Sequence, residues 1–141
     1  MVTHLQFSNP NFLGARFHHI GVACKDIDKT LSSIRCFLPE TYTCSEIVED
    51  QKLGATLQLI SLDGGAYLEL VSGGVVSSFL KRNTHLYHSC FEVDSIERFV
   101  TKDLQKTFIP LAAAIDADLF DGRLVQFFQT PLGMVELLER K

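Results

Sequence analysis

An internal repeat constrains the fold of this 141-residue chain more than any other feature of its sequence. After a shift of 69 residues, the segment that begins at His19 (HIGVACKDIDKTL) aligns without gaps with the segment that begins at His88 (HSCFEVDSIERFV). Near the other end of each half, a shift of 67 residues places Glu69 in LQLISLDGGAYLEL over Glu136 in LVQFFQTPLGMVEL. A repeat of this kind indicates two similar modules of about 65 residues each, packed together.

The first module has the pattern of a strand, a helix and then three strands. The apolar run 17–24 predicts a strand, and apolar residues every three or four positions from Ile27 to Leu38 predict a helix that Asp26 caps. Three further strands are predicted at about 41–48, 55–62 and 66–72, with a turn at 63–65 between the last two.

The second module repeats this pattern. A strand at 85–93 precedes a helix that Asp94 and Glu97 are predicted to open as a capping box. Strands near 107–115, 123–129 and 134–138 complete the module, with the last turn at 131–133. The sequence therefore predicts an α+β fold of two tandem βαβββ modules.

The repeat also sets the boundaries between the predicted segments. They are an N-terminal arm or edge strand at 1–16, a first module at 17–74, a linker at 75–83 and a second module at 84–141. The linker VVSSFLKRN lacks strand alternation and ends in basic residues, which predicts a short helix or, alternatively, a solvated connector.

Composition excludes several classes of partner. A net charge of -4 gives no general attraction to nucleic acid or to anionic lipid. No run of 18 apolar residues and no N-terminal signal pattern occur, so we predict a cytoplasmic protein with no membrane partner. The cysteines form no C-x-x-C pair and lie in apolar runs, which predicts reduced, buried thiols at Cys24, Cys36, Cys44 and Cys90.

Side-chain alternation predicts which residues of a strand share a face. In 17–24, His18 and Ile20 fall on the apolar face that a helix must cover, whereas His19 falls on the opposite, open face. The same count places the three other candidates off the helix-covered face: Glu69, His88 and Glu136.

Carboxylates in apolar strands need a partner, because burying an unpaired carboxylate costs several kcal/mol. Here the repeat supplies two such glutamates, each with a histidine, and a set of two imidazoles and two carboxylates suits zinc, nickel, cobalt, manganese or iron(II). The sequence therefore predicts one divalent metal ion held by His19, Glu69, His88 and Glu136.

Four segments in order resemble one known family. FHHIGVACKDID, AYLELVSG, SSFLKRNTHLYHSCFEVDSIE and FFQTPLGMVELLER resemble the vicinal-oxygen-chelate superfamily, in particular methylmalonyl-CoA epimerases and glyoxalase-like relatives, over roughly residues 17–140. The resemblance implies paired βαβββ modules in a curved mixed sheet around a metal site. It also implies that the ligands come from the first and last strands of each module, which match the four residues named above.

The activity that the resemblance implies is that of a metal-dependent isomerase, epimerase or lyase. In such enzymes the ion polarises a carbonyl of the substrate, so that a carboxylate can remove the neighbouring proton. The epimerases carry a glutamate on their third strand, but the matching stretch LGATLQ has no acid. The glyoxalase-like branch instead implies Glu136 and Glu69 as the acid and base. Glu46 and Glu49 on the second predicted strand are fallback candidates, with charged solvent-facing positions as the favoured alternative.

Other functions and partners remain open at this stage. A ligand-binding, resistance-type protein of the same fold without catalysis is one alternative, and a ring-opening dioxygenase is another. We expect a small-molecule carbonyl or thioester substrate and, from the resemblance, a homodimer. A CoA thioester would favour basic residues at the rim of the cleft, for which the chain offers Lys81, Arg82, Lys102, Lys106 and Arg123.

Overall fold

The structure is a computed structural model that describes residues 14–141, so most of the arm predicted at 1–16 lies outside the described residues. The strands are β1 Arg16–Ala23, β2 Thr43–Cys44, β3 Val48–Asp50, β4 Ala55–Ser61, β5 Tyr67–Ser72, β6 Leu86–Val93, β7 Ile109–Pro110, β8 Ile115–Ala117, β9 Arg123–Thr130 and β10 Gly133–Glu139. The α-helices are α1 Ile27–Ile34, α2 Ser77–Lys81 and α3 Ile96–Phe99. Short 3-10 helices occur at Asp63–Gly65, Gly74–Val76, Leu104–Lys106 and Asp118–Phe120.

All of these strands belong to one mixed sheet. Its order is β2-β4-β5-β1-β6-β10-β9-β7, with β3 beside β4 and β8 beside β9. At the centre, β1 and β6 are antiparallel, and each has a parallel neighbour on its outer side, β5 for β1 and β10 for β6. The strand path of the first half is thus repeated in the second, which confirms the predicted α+β class.

The helix of each half begins at a side-chain cap. Asp26 accepts a hydrogen bond from the backbone N–H of Lys29 at 2.9 Å, as predicted for α1. The predicted cap of α3 was wrong, because Ser95 accepts from the backbone N–H of Arg98 while Asp94 is bound by an arginine instead. The α3 helix ends at Phe99 after four residues.

Two predicted elements differ in detail from the structure. The second strand of each half is broken in two, β2 and β3 in the first half and β7 and β8 in the second. The linker forms a 3-10 helix followed by α2, as the helical interpretation predicted. It is not a solvated connector, because Val76 is fully buried and Phe79 packs against the same apolar cluster.

The two faces of the sheet have separate cores. On the outer face, α1 packs Ile27 against Ile60 of β4 and Leu70 of β5, and α3 packs Ile96 against Val135 of β10. Smaller clusters lie on the inner face, where Ala55, Leu57 and Val71 form one and the side chains around Phe120 form another. Among the described helices, α1 and α3 cover the outer face, whereas short segments such as α2 and the 3-10 helix at Asp118–Phe120 lie against the inner one.

Asp50, at the end of β3, closes the inner face. Its buried carboxylate accepts hydrogen bonds from the backbone N–H groups of Lys52 and Leu53 through Oδ1, and from that of Asp118 through Oδ2 at 3.1 Å. Asp118 follows β8, so this contact joins segments from opposite ends of the strand order. The contact requires the sheet to curve, as predicted.

The four cysteines differ in their exposure to solvent. All four thiols are free, as predicted, and Cys24 and Cys90 are buried. The predicted burial was wrong for Cys36 and Cys44, which are exposed because neither contributes to the clusters that cover the sheet.

Within the described residues the longest α-helix has eight residues, and none is long and apolar enough to cross a membrane.

Replacing Asp50 with Asn tests the contact that closes the inner face. An amide has one acceptor oxygen, so the backbone N–H groups bound to the other carboxylate oxygen lose their acceptor. We therefore expect the free energy of unfolding to fall by about 1–3 kcal/mol. Chemical denaturation measures this change. The exposed neighbour offers a matched control in Glu49→Gln, which should unfold like the wild type. Equal unfolding midpoints for Asp50→Asn and the wild type would contradict the role of Asp50.

Candidate metal centre

The four predicted ligands come from the four central strands of the sheet. Each adjacent strand contributes one of them in the order β5, β1, β6, β10, which gives Glu69, His19, His88 and Glu136. The register places Gly21 opposite both Glu69 and His88, and it places Cys90 opposite both His19 and Glu136. Since Gly21 and Cys90 are equivalent in the repeat, the site has the approximate twofold symmetry of the two halves.

The side chains of these four residues meet on the inner face. The two imidazoles approach each other through their Nε2 atoms at 3.1 Å. Nε2 of His19 lies 3.4 Å from a carboxylate oxygen of Glu69 and 3.5 Å from one of Glu136. Nε2 of His88 lies 3.0 Å from Glu136 and 3.7 Å from Glu69. The structure therefore brings together all four residues that the sequence singled out.

Burial sets the electrostatics of this cluster. His19 is fully buried, and the two glutamates are only 3% and 2% exposed. Burial alone would lower the pKa of His19, but the charges of Glu69 and Glu136 outweigh it and raise that pKa above the ordinary value. The cluster thus holds two buried carboxylates that face two imidazoles.

The two carboxylates are not equivalent. Burial raises the pKa of Glu69, with partial opposition from His19 and reinforcement from Glu136. Burial acts in the same direction on Glu136, but hydrogen bonds from both imidazoles outweigh it and lower the pKa of Glu136 to about 2. The environments of the pair push the two pKa values apart, which is a common property of acid and base pairs in active sites.

The donor set fits a divalent metal ion. Two donor atoms about 2.1 Å from one ion lie about 3.0 Å apart at a right angle and about 3.4 Å apart at the tetrahedral angle. The nitrogen–oxygen separations of 3.0, 3.4, 3.5 and 3.7 Å lie within or about 0.3 Å above this range, and all four donors lie within 4.8 Å of one another. The Nε2 atoms of the two imidazoles also face each other, as two nitrogen ligands of one cation do. The cluster is a candidate metal site.

Two β-bulges turn additional residues toward this site. His18 in β1 and Tyr87 in β6 each fall at a register shift where the opposing strand has no matching residue. They occupy equivalent positions in the repeat, immediately before the two ligand histidines. A bulge changes the direction of a side chain locally, and bulges are frequent next to functional sites. The ring of Tyr87 contacts that of His88, with the ring centres 4.5 Å apart.

The predicted orientation of His18 was wrong because of its bulge. Its ring contacts Phe120 on the inner side of the sheet and stacks on Tyr67, and its Nδ1 lies 2.8 Å from Nδ1 of His19. Burial and repulsion from His19 lower the pKa of His18 to about 4, so this ring is neutral at pH 7. A neutral His18 can accept the Nδ1 proton of His19, which leaves the lone pair of His19 at Nε2, facing the other ligands.

Gly21 is required by the packing of His88. A Cβ atom at Gly21 would lie 2.0 Å from Cε1 of the His88 ring, which is far inside van der Waals contact. Only a residue without a side chain therefore allows the ring to lie across β1. The sequence showed this glycine between apolar residues but gave no sign of its role, because the contact is with a residue 67 positions away.

A cavity of about 200 Å³ opens beside the two carboxylates. Residues from both halves form its walls, among them Leu53, Leu57, Val71, Leu119, Phe120 and Phe127. Glu46 and Glu49, the alternative acid and base candidates, are exposed and do not line this cavity. Nor do the basic residues considered for a CoA thioester: Arg123, for example, is bound to Glu92 at 2.5 Å.

The sequence matches no family model and no curated protein. By structure, the chain is similar to the hypothetical protein BH1468 from Bacillus halodurans, with a TM-score of 0.72 and 17% identity over 90% of this chain and 95% of that one. It is also similar to the methylmalonyl-CoA epimerase from Mycobacterium tuberculosis, with a TM-score of 0.74 and 15% identity over 89% and 87% of the two chains.

A third similar structure is the methylmalonyl-CoA epimerase from Streptomyces coelicolor in complex with 2-nitronate-propionyl-CoA. Its TM-score is 0.68, with 20% identity over 88% of this chain and 96% of that one. At identities this low, the likeness shows the fold alone. The chain has the vicinal-oxygen-chelate, glyoxalase-like fold, which it shares with methylmalonyl-CoA epimerases.

Proposed function

We propose that the chain binds one divalent metal ion, zinc, nickel, cobalt or manganese, through His19, Glu69, His88 and Glu136 and acts as an isomerase, epimerase or lyase. The observation that carries this proposal is the pair of buried carboxylates facing two imidazoles at the spacing of metal ligands. Without a cation, such a cluster would be costly to bury. The cavity beside it supports a small-molecule carbonyl or thioester substrate.

The chain's own residues provide the remaining requirements of the reaction. A divalent ion supplies a Lewis acid that polarises a carbonyl oxygen and stabilises the negative charge formed when the neighbouring proton leaves. The apolar walls of the cavity make the surroundings of the two carboxylates less polar, which strengthens electrostatic interactions there. His18 holds the ring of His19 in one tautomer, which fixes the direction of that ligand.

Glu69 and Glu136 are the proposed acid and base. Both line the cavity and so can contact a substrate, whereas Glu46 and Glu49 do not. Interconversion of two stereoisomers needs one group to remove a proton and another to return it on the opposite side. Two carboxylates related by the approximate symmetry of the site are suited to that exchange of roles.

Three further expectations from the sequence stay predictions. They are the homodimer, the cytoplasmic location and the division of the chain at 17–74, 75–83 and 84–141. Exposed apolar side chains such as Phe37 and Leu132, 82% and 73% exposed, would be candidates for burial in a dimer.

Metal analysis of the purified chain tests the proposed site. We expect about one divalent ion per chain, because the four donors form a single cluster. His19→Ala and His88→Ala should each abolish this stoichiometry. His85→Ala is the matched control, since His85 is exposed and binds Asn83 and the backbone of Ala23. Full metal content in both ligand variants would refute the assignment.

Gly21→Ala tests the packing of His88 without removing any donor. We expect metal affinity to fall at least ~10-fold, because the new methyl group displaces the imidazole and misplaced ligand geometry typically costs ~10- to ~100-fold. Competition with a chromophoric chelator measures the affinity, and thermal unfolding verifies that the variant folds. Gly74→Ala is the control, since a Cβ there meets no atom within 4 Å. Wild-type affinity in Gly21→Ala would contradict the packing argument.

Glu69→Gln and Glu136→Gln test the acid and base assignment. Each variant keeps an oxygen ligand but loses a proton acceptor, so exchange of the substrate α-proton with solvent should fall at least ~100-fold in both. Nuclear magnetic resonance in heavy water measures exchange of the α-proton in 2-oxo, hemithioacetal and acyl-CoA candidates. Glu97→Gln, on the exposed side of α3, should react like the wild type.

The outcomes of this experiment separate the alternatives. Unchanged exchange in both metal-loaded variants would place the base elsewhere. No exchange in the metal-loaded wild type with any of the three candidate classes would instead favour a ligand-binding protein without catalysis.

A further inference from the structure

The walls of the cavity beside the metal centre are almost entirely apolar. Among the described residues that line it, only Tyr87 and the two glutamates carry a side-chain nitrogen or oxygen, and none is a lysine, an arginine or a histidine. We propose that this cavity takes the uncharged hydrocarbon substituent of a carbonyl substrate and rejects substrates that carry a carboxylate there. This inference rests on the proposed function, because it assigns the substrate class of the same metal centre.

Charge balance supports this selectivity. Two glutamates and one divalent ion sum to zero charge, with the histidines neutral. A substrate that added a carboxylate inside the cavity would leave a net negative charge among apolar walls, which is unfavourable without a matching cation.

Two arginines adjacent to lining residues do not themselves line the cavity. Arg82 lies over the ring of Phe79, 5.1 Å from its centre, and is itself exposed, so it does not reach into the lining. Arg123 binds Glu92 and the backbone carbonyl of Glu139. Neither guanidinium lines the cavity, so the walls offer no charged partner for a carboxylate.

The volume of the cavity and the residues at its rim suit the binding of a small apolar group. Its volume of about 200 Å³ lies below the ~300–1,000 Å³ typical of pockets for drug-sized ligands. Val75 and Leu111 line it and are 44% and 50% exposed, so its rim is apolar on both sides. A short aliphatic or aromatic substituent fits this space, whereas a large polar carrier would have to lie outside it.

Hydroxamates of matched length provide the test, because a hydroxamate chelates a divalent ion through two oxygens. The probes are acetohydroxamate, hexanohydroxamate and the monohydroxamate of adipic acid, whose chain has the same length as that of hexanohydroxamate but ends in a carboxylate. Isothermal titration of the zinc-loaded protein measures their binding. Each buried methylene is worth roughly 4-fold in affinity.

We expect hexanohydroxamate to bind at least ~10-fold more tightly than acetohydroxamate, and the adipic probe to bind no more tightly than acetohydroxamate. Equal binding of the hexano and adipic probes would overturn the inference and leave the metal site standing. Binding of none of the three by the zinc-loaded protein would also overturn the inference, whereas failure of the chain to take up zinc would overturn the metal site itself.

A charge placed in the wall tests the same idea independently. Leu119→Lys introduces a cation into the lining and should reverse the preference, so that the adipic probe binds more tightly than the hexano probe. Leu132→Lys is the matched control, since Leu132 is 73% exposed and outside the lining. An unchanged preference in a folded Leu119→Lys variant would contradict the inference. If that variant does not fold, the probe series on the wild-type protein decides the inference.

Discussion

Two carboxylates held out of water on the inner face of one sheet are the constraint on which the rest of the structure depends. Glu69 and Glu136 face the imidazoles of His19 and His88, and a carboxylate buried in this way needs a compensating positive charge. Each of the four side chains comes from a different strand. The charges can therefore meet only if β5, β1, β6 and β10 keep their order and register, and only if the sheet curves enough to exclude water.

The repeat explains how each half of the sheet contributes one histidine and one glutamate to the cluster. Gly21 and Cys90 are equivalent, and each lies opposite one histidine and one glutamate of the neighbouring strands. The bulges at His18 and Tyr87 are equivalent as well, so each ligand histidine is preceded by a residue turned toward its ring. The symmetry is imperfect at Gly21, which must lack a side chain because the His88 ring crosses it. The halves have therefore kept the backbone plan and diverged in packing.

The sequence predicted the four clustered residues and the α+β fold because both depend on periodicity. Alternation with period two and a repeat at a fixed offset place Glu69 and Glu136 without any knowledge of tertiary contacts. The bulge at His18 was not predictable, because an extra residue in one strand has no signature until its partner is known. The cap at Ser95 was predictable, since the same 69-residue offset aligns it with Asp26, but the local pattern from Asp94 competed with that alignment.

The metal centre and the cavity are built from different parts of the chain. The ligands lie on long central strands, whose geometry is fixed by hydrogen bonds on both sides. Much of the cavity wall comes instead from short segments, such as the 3-10 helix that contributes Leu119 and Phe120 and the linker helix that contributes Phe79. Changes in these segments can alter what the cavity accepts without disturbing the ligands. A fold shared with epimerases therefore constrains the clustered carboxylates and imidazoles more than it constrains the shape of the cavity beside them.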